Sequence, residues 1–225
     1  MYGRNPVREA IRGPREVHRV WVADQTSGTL PEVDAPVLVA DRKTLETLCG
    51  SPDHQGFVCE VEPYRYVEGE SLLEEREQAL IVALDQVQDP QNLGAICRSA
   101  ECAGAAGVVI PERRSVEVTA AVCRASAGAV EHVRVARVRN LADFLGKARD
   151  QGAWVYGAEA GAAKSYTEPD YSGRTVLVLG AEGRGLRPRV RAACDELVSI
   201  PLRGEIPSLN VSAAAAVLIF EALKE

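Results

Sequence analysis

The sequence predicts an α/β protein built on a mostly parallel sheet and preceded by a small α/β domain. Three observations predict it. From Leu80 onward, short apolar strands alternate with segments of helical periodicity, which is the pattern of βαβ units. Aromatic residues are scarce at 5%, while hydrophobic residues reach 46% and are dominated by alanine and valine. That composition favours layered α/β packing over a β-sandwich. Finally, two late apolar strands, in TVLVLG and ELVSI, run straight into loops of Gly, Ser, Asn and Glu. Such loops at strand carboxyl ends are where open α/β sheets bind ligands. A chain of 225 residues can hold one large domain, or a small one and a medium one.

The elements follow in order. Asn5 can cap a first helix, Pro6 suits its first position, and Gly13-Pro14 stops it. Val17 to Ala23 alternates as a strand does, and Pro36 to Ala40 reads as a second strand. Asp41 can cap a short helix over Arg42 to Cys49, and Gly56 to Val61 is a third strand. Residues 1–62 therefore form the small domain, and the polar stretch 63–78 reads as a linker with a short helix. Residues 79–225 form the second domain. It opens with a buried strand at Leu80 to Leu84, a loop holding Pro90, and a helix from Asn92 to Ala103 with its apolar stripe at Leu93, Ile96, Cys97 and Ala100. Val108 to Ile110, Val133 to Val138 and Trp154 to Ala158 are strands. Val118 to Ala127 is a helix, and Asn140 caps another over Leu141 to Gln151. A long loop spans Ala160 to Arg174. The last helix is nearly all apolar from Val211 to Phe220, which predicts burial on most sides.

Several classes of function are disfavoured. No apolar run reaches the ~20 residues of a membrane span, and the first twenty residues are too polar for a signal peptide. The six cysteines form no C-x-x-C pair and have no histidine cluster beside them, which argues against a zinc site. Scattered in apolar surroundings, they read as reduced core residues of a cytoplasmic protein. The net charge of −6 disfavours nucleic acid in general. Residues 1–22, however, carry five arginines against two acids, so the remainder sums to −9 and RNA can still bind locally. A solvated basic face is the equal alternative. The turn after Leu84 has no G-x-G, which excludes a Rossmann dinucleotide site, and no Gly-Lys-Ser/Thr follows Gly185 to make a P-loop.

Three motifs stand at strand ends. The first is Asp85-Gln-Val-Gln-Asp-Pro-Gln-Asn92-Leu-Gly94, with Arg98 four residues beyond the glycine. The second is Gly180-Ala-Glu182-Gly183. The third is Ile200-Pro-Leu202 followed by Ser208-Leu209-Asn210-Val-Ser212. In this order the three resemble the motifs of the SpoU/TrmH family of RNA ribose 2′-O-methyltransferases, nearest to the bacterial large-subunit ribosomal RNA enzymes that make 2′-O-methylguanosine. The resemblance covers about residues 79–225. Tyr2-Gly3-x-Asn5-Pro-Val and the domain to about Glu62 also resemble the substrate-binding domain of the ribosomal RNA members.

The resemblance implies a trefoil knot in the C-terminal segment, S-adenosylmethionine as cofactor, and a homodimer with the active site near the subunit interface. The Ala213–Ala216 run suits close helix packing there. It also implies in-line attack of a ribose 2′-oxygen on the sulfonium methyl, so the protein's task is to place the hydroxyl and help remove its proton. Arg98 would act on the acceptor side. A free guanidinium does not deprotonate readily, so its physical role is to orient phosphate and stabilise oxyanion charge; the plain alternative is an ion pair with Glu101. Asn92 would fix the loop and the acceptor ribose, cap its helix, or do both. Glu182 would tie the motif loops together or balance the sulfonium. Ser208 and Asn210 would lie at the methyl-transfer site, and either can cap the last helix. Pro207 stands where some members carry a second serine. The cofactor would be held by Ala158, Gly180, Glu182, Gly183, Ile200, Leu202 and Leu209, and RNA by Arg4, Arg8, Arg12 and Arg98. Two alternatives remain: the same chemistry on transfer RNA, and a non-catalytic RNA-binding ribosome-assembly factor. An intact Asn92, Arg98, Glu182, Ser208 and Asn210 set argues against the binder.

Overall fold

The computed structural model describes residues 1–24, 26, 28–74, 78–181 and 183–224. Helix α1 (Arg4–Arg12), strands β1 (Val17–Ala23) and β2 (Val37–Ala40), helix α2 (Arg42–Cys49) and strand β3 (Phe57–Val61) make the first unit. Its sheet runs β2-β1-β3, with β1 parallel to β2 and antiparallel to β3. Val7, Ala10, Val20, Phe57 and Cys59 form its core. Asp41 caps α2 by accepting from the Thr44 amide at 2.8 Å. Helix α1 starts two residues earlier than the sequence predicts. Gly3 takes the cap position at φ 98°, which leaves Asn5 inside the first turn. The cause is a tether: the Gly3 amide donates to the Phe57 carbonyl at 3.0 Å, fixing the chain to β3 before the helix begins.

The second unit contains α3 (Ser71–Glu74), β4 (Ala79–Asp85), α4 (Pro90–Ala103), β5 (Gly107–Pro111), α5 (Ala120–Ala125), β6 (Val135–Val138), α6 (Leu141–Asp150), β7 (Trp154–Ala158), β8 (Lys164–Ser165), β9 (Arg174–Gly180), α7 (Pro188–Ala192), β10 (Glu196–Ser199) and α8 (Val211–Ala222). The strands order as β6-β5-β4-β9-β7-β10-β8, and each pairing is parallel. Strand β4 is buried at all seven positions, as a central parallel strand covered on both faces must be. Its residues alternate between two cores. Leu80, Val82 and Leu84 meet α4, α5 and α8, whereas Ile81 and Ala83 meet α3, α6 and α7. Strands β5 and β6 lie on one side of β4, and β9, β7 and β10 on the other. The topological switch point therefore falls between β4 and β9, where Asp85 pairs with Gly180. The return of the chain from β10 across the sheet to α8, packed on α4, is consistent with the knotted C-terminal segment that the resemblance implies.

Several elements differ from expectation. Residues 63–78, read as a linker, are bound to the larger sheet as far as they are described. The Val67 amide donates to Val135 at 3.0 Å, the Tyr64 hydroxyl to Val133 at 3.1 Å, and Leu72 and Leu73 are fully buried. The long loop after β7 contains β8, a two-residue edge strand beside β10. The helix expected over 118–127 stops at Ala125, because Ala127 and Gly128 turn left-handed at φ 53° and 92°. Helix α7, begun by Pro188, had too few residues to show periodicity. Helix α8 is not buried on most sides: Val217 is 38% and Phe220 53% exposed. No described helix is long and apolar enough to cross a membrane.

The two units meet along α1. Arg15 Nε donates to Glu131 Oε2 at 2.8 Å, Nη2 pairs with Oε1, and Nη1 donates to the Glu62 carbonyl at 3.1 Å. The Arg15 side chain is 8% exposed and that of Glu131 is 0%. Burial works against the Arg15 charge, yet the bonds to Glu131 outweigh it and hold the guanidinium above its usual range. One of the five N-terminal arginines is thereby withdrawn from solvent. Glu9 binds both Arg12, at 3.0 Å, and His132, at 2.9 Å.

Candidate active site

A cavity of about 410 Å³ opens at the carboxyl ends of β7, β9 and β10 and at the start of α8. Its walls are chiefly apolar: Leu179, Val198, Ile200, Leu202, Leu209 and Leu218. Six positions assigned to cofactor binding from sequence line it: Ala158, Gly180, Gly183, Ile200, Leu202 and Leu209. The seventh, Glu182, lies outside the described residues.

The loop after β9 needs its glycines. A Cβ on Gly180 would stand 2.2 Å from the Gly185 backbone, because the loop folds back through a bridge between Ala181 and Gly185. Gly183 takes φ 71° at its tip. The loop's far end is anchored from below. Asp85, buried at the end of β4, accepts from the Arg187 amide at 2.8 Å and from Arg187 Nε at 2.7 Å. Asp85 opens the first motif, yet sequence reasoning gave it no role. The signal was an acid ending the otherwise apolar run ALIVALD; its partner is 102 residues away.

The residues expected on the acceptor side come together only in part. Ser208 lines the cavity. Asn210 caps α8, its Oδ1 accepting from the Ser212 amide at 2.9 Å and the Ala213 amide at 3.4 Å. Its Nδ2 donates to Asn92 Oδ1 at 3.0 Å, which joins the first and third motifs. Asn92 does not cap α4. Asp89 does, accepting from the Gln91 amide at 2.9 Å, with Pro90 in the first position. This frees the Asn92 amide for Asn210. Gly94 serves packing: a Cβ there would meet Ala125 at 2.4 Å, so α5 sits directly on α4. Arg98 is exposed on α4, about 9 Å along the axis from Asn92. It does not line the cavity, and among the described residues it makes no ion pair with Glu101.

The three arginines of the first unit expected to contact RNA stand on α1. Arg12 is exposed but bound to Glu9, Arg8 is half-buried, and Arg4 stacks over Phe57 at 5.8 Å. Burial among the core residues under α4 pushes the Cys97 thiol up to about 12.

These features fit S-adenosylmethionine. The apolar walls suit an adenine, and the Gly180–Gly185 turn lets backbone approach a ligand without a side chain between them.

Comparison with known proteins agrees with this geometry. Residues 79–220 match the SpoU rRNA methylase family, and residues 1–67 match the RNA 2′-O ribose methyltransferase substrate-binding family. A Bacillus subtilis protein, YacO, named for the TrmH family of tRNA/rRNA methyltransferases, is 37% identical across 99% of this chain and 94% of its own length. The crystal structure of an S-adenosylmethionine-bound rRNA methyltransferase from Sinorhizobium meliloti superposes with a TM-score of 0.83, at 28% identity, over 99% of this chain and 85% of that one. A tRNA-modifying TrmH/SpoU enzyme from A. aeolicus, also 28% identical, covers 69% of this chain and 79% of its own, with a TM-score of 0.59. The chain belongs to the SpoU family of RNA 2′-O-ribose methyltransferases, enzymes that use S-adenosylmethionine.

Proposed function

We propose that this protein methylates the ribose 2′-hydroxyl of a guanosine in large-subunit ribosomal RNA. The observation that carries the reading is the convergence of second- and third-motif residues, Gly180, Gly183, Ile200, Leu202, Ser208 and Leu209, on one apolar cavity at the carboxyl ends of β7, β9 and β10, with the Asn92–Asn210 bond joining the first motif to the third. The ribosomal target is supported by the first unit. The S. meliloti rRNA enzyme matches nearly the whole chain, whereas the A. aeolicus tRNA enzyme matches about two thirds of it.

S-adenosylmethionine, held by Ala158, Gly180, Gly183, Ile200, Leu202 and Leu209, would supply an activated methyl group. Glu182 belongs to the same loop in this proposal. The remaining work falls to the protein. Asn92 and Asn210 brace each other and hold the acceptor ribose, with Ser208 beside them. Arg98 binds the adjoining phosphate and stabilises the negative charge that develops on the 2′-oxygen as it takes the methyl group from sulfur and gives up its proton to solvent. Arg4, Arg8 and Arg12 hold flanking RNA. The working unit is a homodimer formed on the open face of α8, where a second copy would complete the acceptor side that one chain leaves open at Arg98. The reduced thiols fit a cytoplasmic protein.

Transfer of labelled methyl to unmodified ribosomal and transfer RNA transcripts tests the reading. Label recovered as 2′-O-methylguanosine from ribosomal RNA is expected; label only in transfer RNA overturns the target. Arg98→Ala should lower transfer at least about 100-fold, on the scale of a lost oxyanion donor, and leave cofactor affinity within about twofold. Equal loss of both would remove Arg98 from the acceptor side.

A further inference from the structure

A second, larger cavity lies on the same carboxyl edge of the sheet, beyond the Ala181–Arg187 loop. It measures about 1,100 Å³ and is bounded by the ends of β5 and β6 and the starts of α6 and α7. Seven Arg and Lys side chains line it against four carboxylates, in a chain whose net charge is −6. Four of the seven are committed to acids, Arg187 to Asp85 among them. Arg113, Arg114 and Arg139 are exposed and make no ion pair among the described residues.

The loop carrying two of these arginines is built rather than slack. The Val116 amide and the Ser115 hydroxyl both donate to the Val87 carbonyl, at 3.0 and 3.2 Å, and Gln88 Nε2 donates to the Arg114 carbonyl at 3.4 Å. Arg114 is left-handed at φ 59°, a conformation that costs energy for a residue with a side chain. These bonds stitch the loop to the segment that leads into Asp89 and Asn92. The basic groove is thus fixed to the segment that carries Asn92, and Arg187 in its wall follows the loop whose Gly183 and Gly185 line the cofactor cavity.

We propose that this groove is the track for the RNA backbone beside the target nucleotide, with Arg113, Arg114 and Arg139 as its phosphate ligands. The inference rests on the RNA methyltransferase reading above. Guanidinium forks match phosphate oxygens. Uncommitted cations at the mouth of an otherwise acidic protein confine polyanion binding to one face.

The test is the affinity of the full chain for an unmodified large-subunit ribosomal RNA transcript, measured across a salt series. Replacing Arg113, Arg114 and Arg139 together by alanine should weaken binding about 10- to 100-fold near 0.1 M salt. It should also flatten the plot of log affinity against log salt by about 2, with S-adenosylmethionine affinity unchanged. The triple lysine variant keeps the charge and should keep most of the salt slope. An alanine variant with wild-type affinity and slope overturns the groove, as does a lysine variant that loses as much slope as the alanine one. Tighter binding of polyglutamate than of RNA would overturn it in favour of an acidic protein partner. Methyl transfer by the wild-type chain, run alongside, separates the two ideas. No transfer to any RNA sinks the underlying reading, whereas transfer with unaltered alanine-variant binding sinks only the groove.

Discussion

At the scale of single residues, the site depends on where a side chain is forbidden as much as on where one is present. Gly180 cannot carry a Cβ while Gly185 lies 2.2 Å from that position. Gly180→Ala must therefore open the loop that closes one wall of the cavity. The expected outcome is cofactor affinity reduced at least about tenfold, a cost above about 1.4 kcal/mol, with a stable fold elsewhere. Calorimetry on a variant of unchanged secondary structure checks it, and wild-type affinity would mean that the loop is not part of the cofactor site. Gly180 was legible in the sequence because it ends an apolar strand inside a recognisable motif. Asp85 was visible as a motif letter but not as an anchor, because its task is defined by Arg187, which only the closed β4–β9 pair brings near. The assignment of Asn92 as a cap failed for a local reason: Asp89-Pro90 offers a better start three residues earlier.

At the scale of elements, α4 and α8 form one device. Asn210 serves two partners, the α8 amides and the side-chain oxygen of Asn92. Asn210→Ala removes a helix cap, worth ~1 kcal/mol, and the half-buried hydrogen bond to Asn92, worth ~1 kcal/mol. The melting temperature should fall by about 4 °C or more, and methyl transfer should fall further than stability alone explains. A variant that melts as wild type would deny the cap its structural weight. The outer face of α8 was misread from composition, for a helix apolar all round predicts burial, and a single chain leaves Val217 and Phe220 uncovered. The misreading supports the proposal that a second copy covers that face. Val217→Asp with Phe220→Asp should then yield a monomer by light scattering, since two carboxylates cannot be buried against an apolar partner without large cost. A wild-type protein that is itself monomeric at working concentration would dismiss the dimer. The parallel sheet, in contrast, was legible, because βαβ periodicity reports it directly, whereas the insertion of β9 between β4 and β7 leaves no periodic trace. Helix α7 and strand β8 were not, because five and two residues carry no period.

At the scale of the molecule, Arg15 and Glu131 form a buried charge pair between the two units, beside the more exposed Glu9–His132 contact, and nothing in the sequence pairs Arg15 with Glu131 across 116 residues. The N-terminal arginines read as one basic stretch; the fold divides them, sending Arg15 inward under Tyr64, 5.5 Å from its ring centre, and leaving Arg12 at the surface. A buried pair of this kind need not add net stability, because both charges lost water to form it. Breaking it, however, strands the survivor. Arg15→Met alone leaves the fully buried Glu131 carboxylate without its guanidinium and should cost ~3–5 kcal/mol. The double variant, Arg15→Met with Glu131→Leu, replaces both charges by apolar groups of similar volume and should recover most of that loss. Urea unfolding of the four proteins in the cycle measures the coupling directly. Additive costs would mean that the units are held by the surrounding apolar contacts and that the pair is incidental. Strong coupling would mean that this contact helps to set the orientation of the first unit over the second, and with it the placement of Arg8 and Arg12 relative to the active site. In that case the double variant, though stable, should bind RNA with an altered salt dependence, because the two basic surfaces would no longer be held in register.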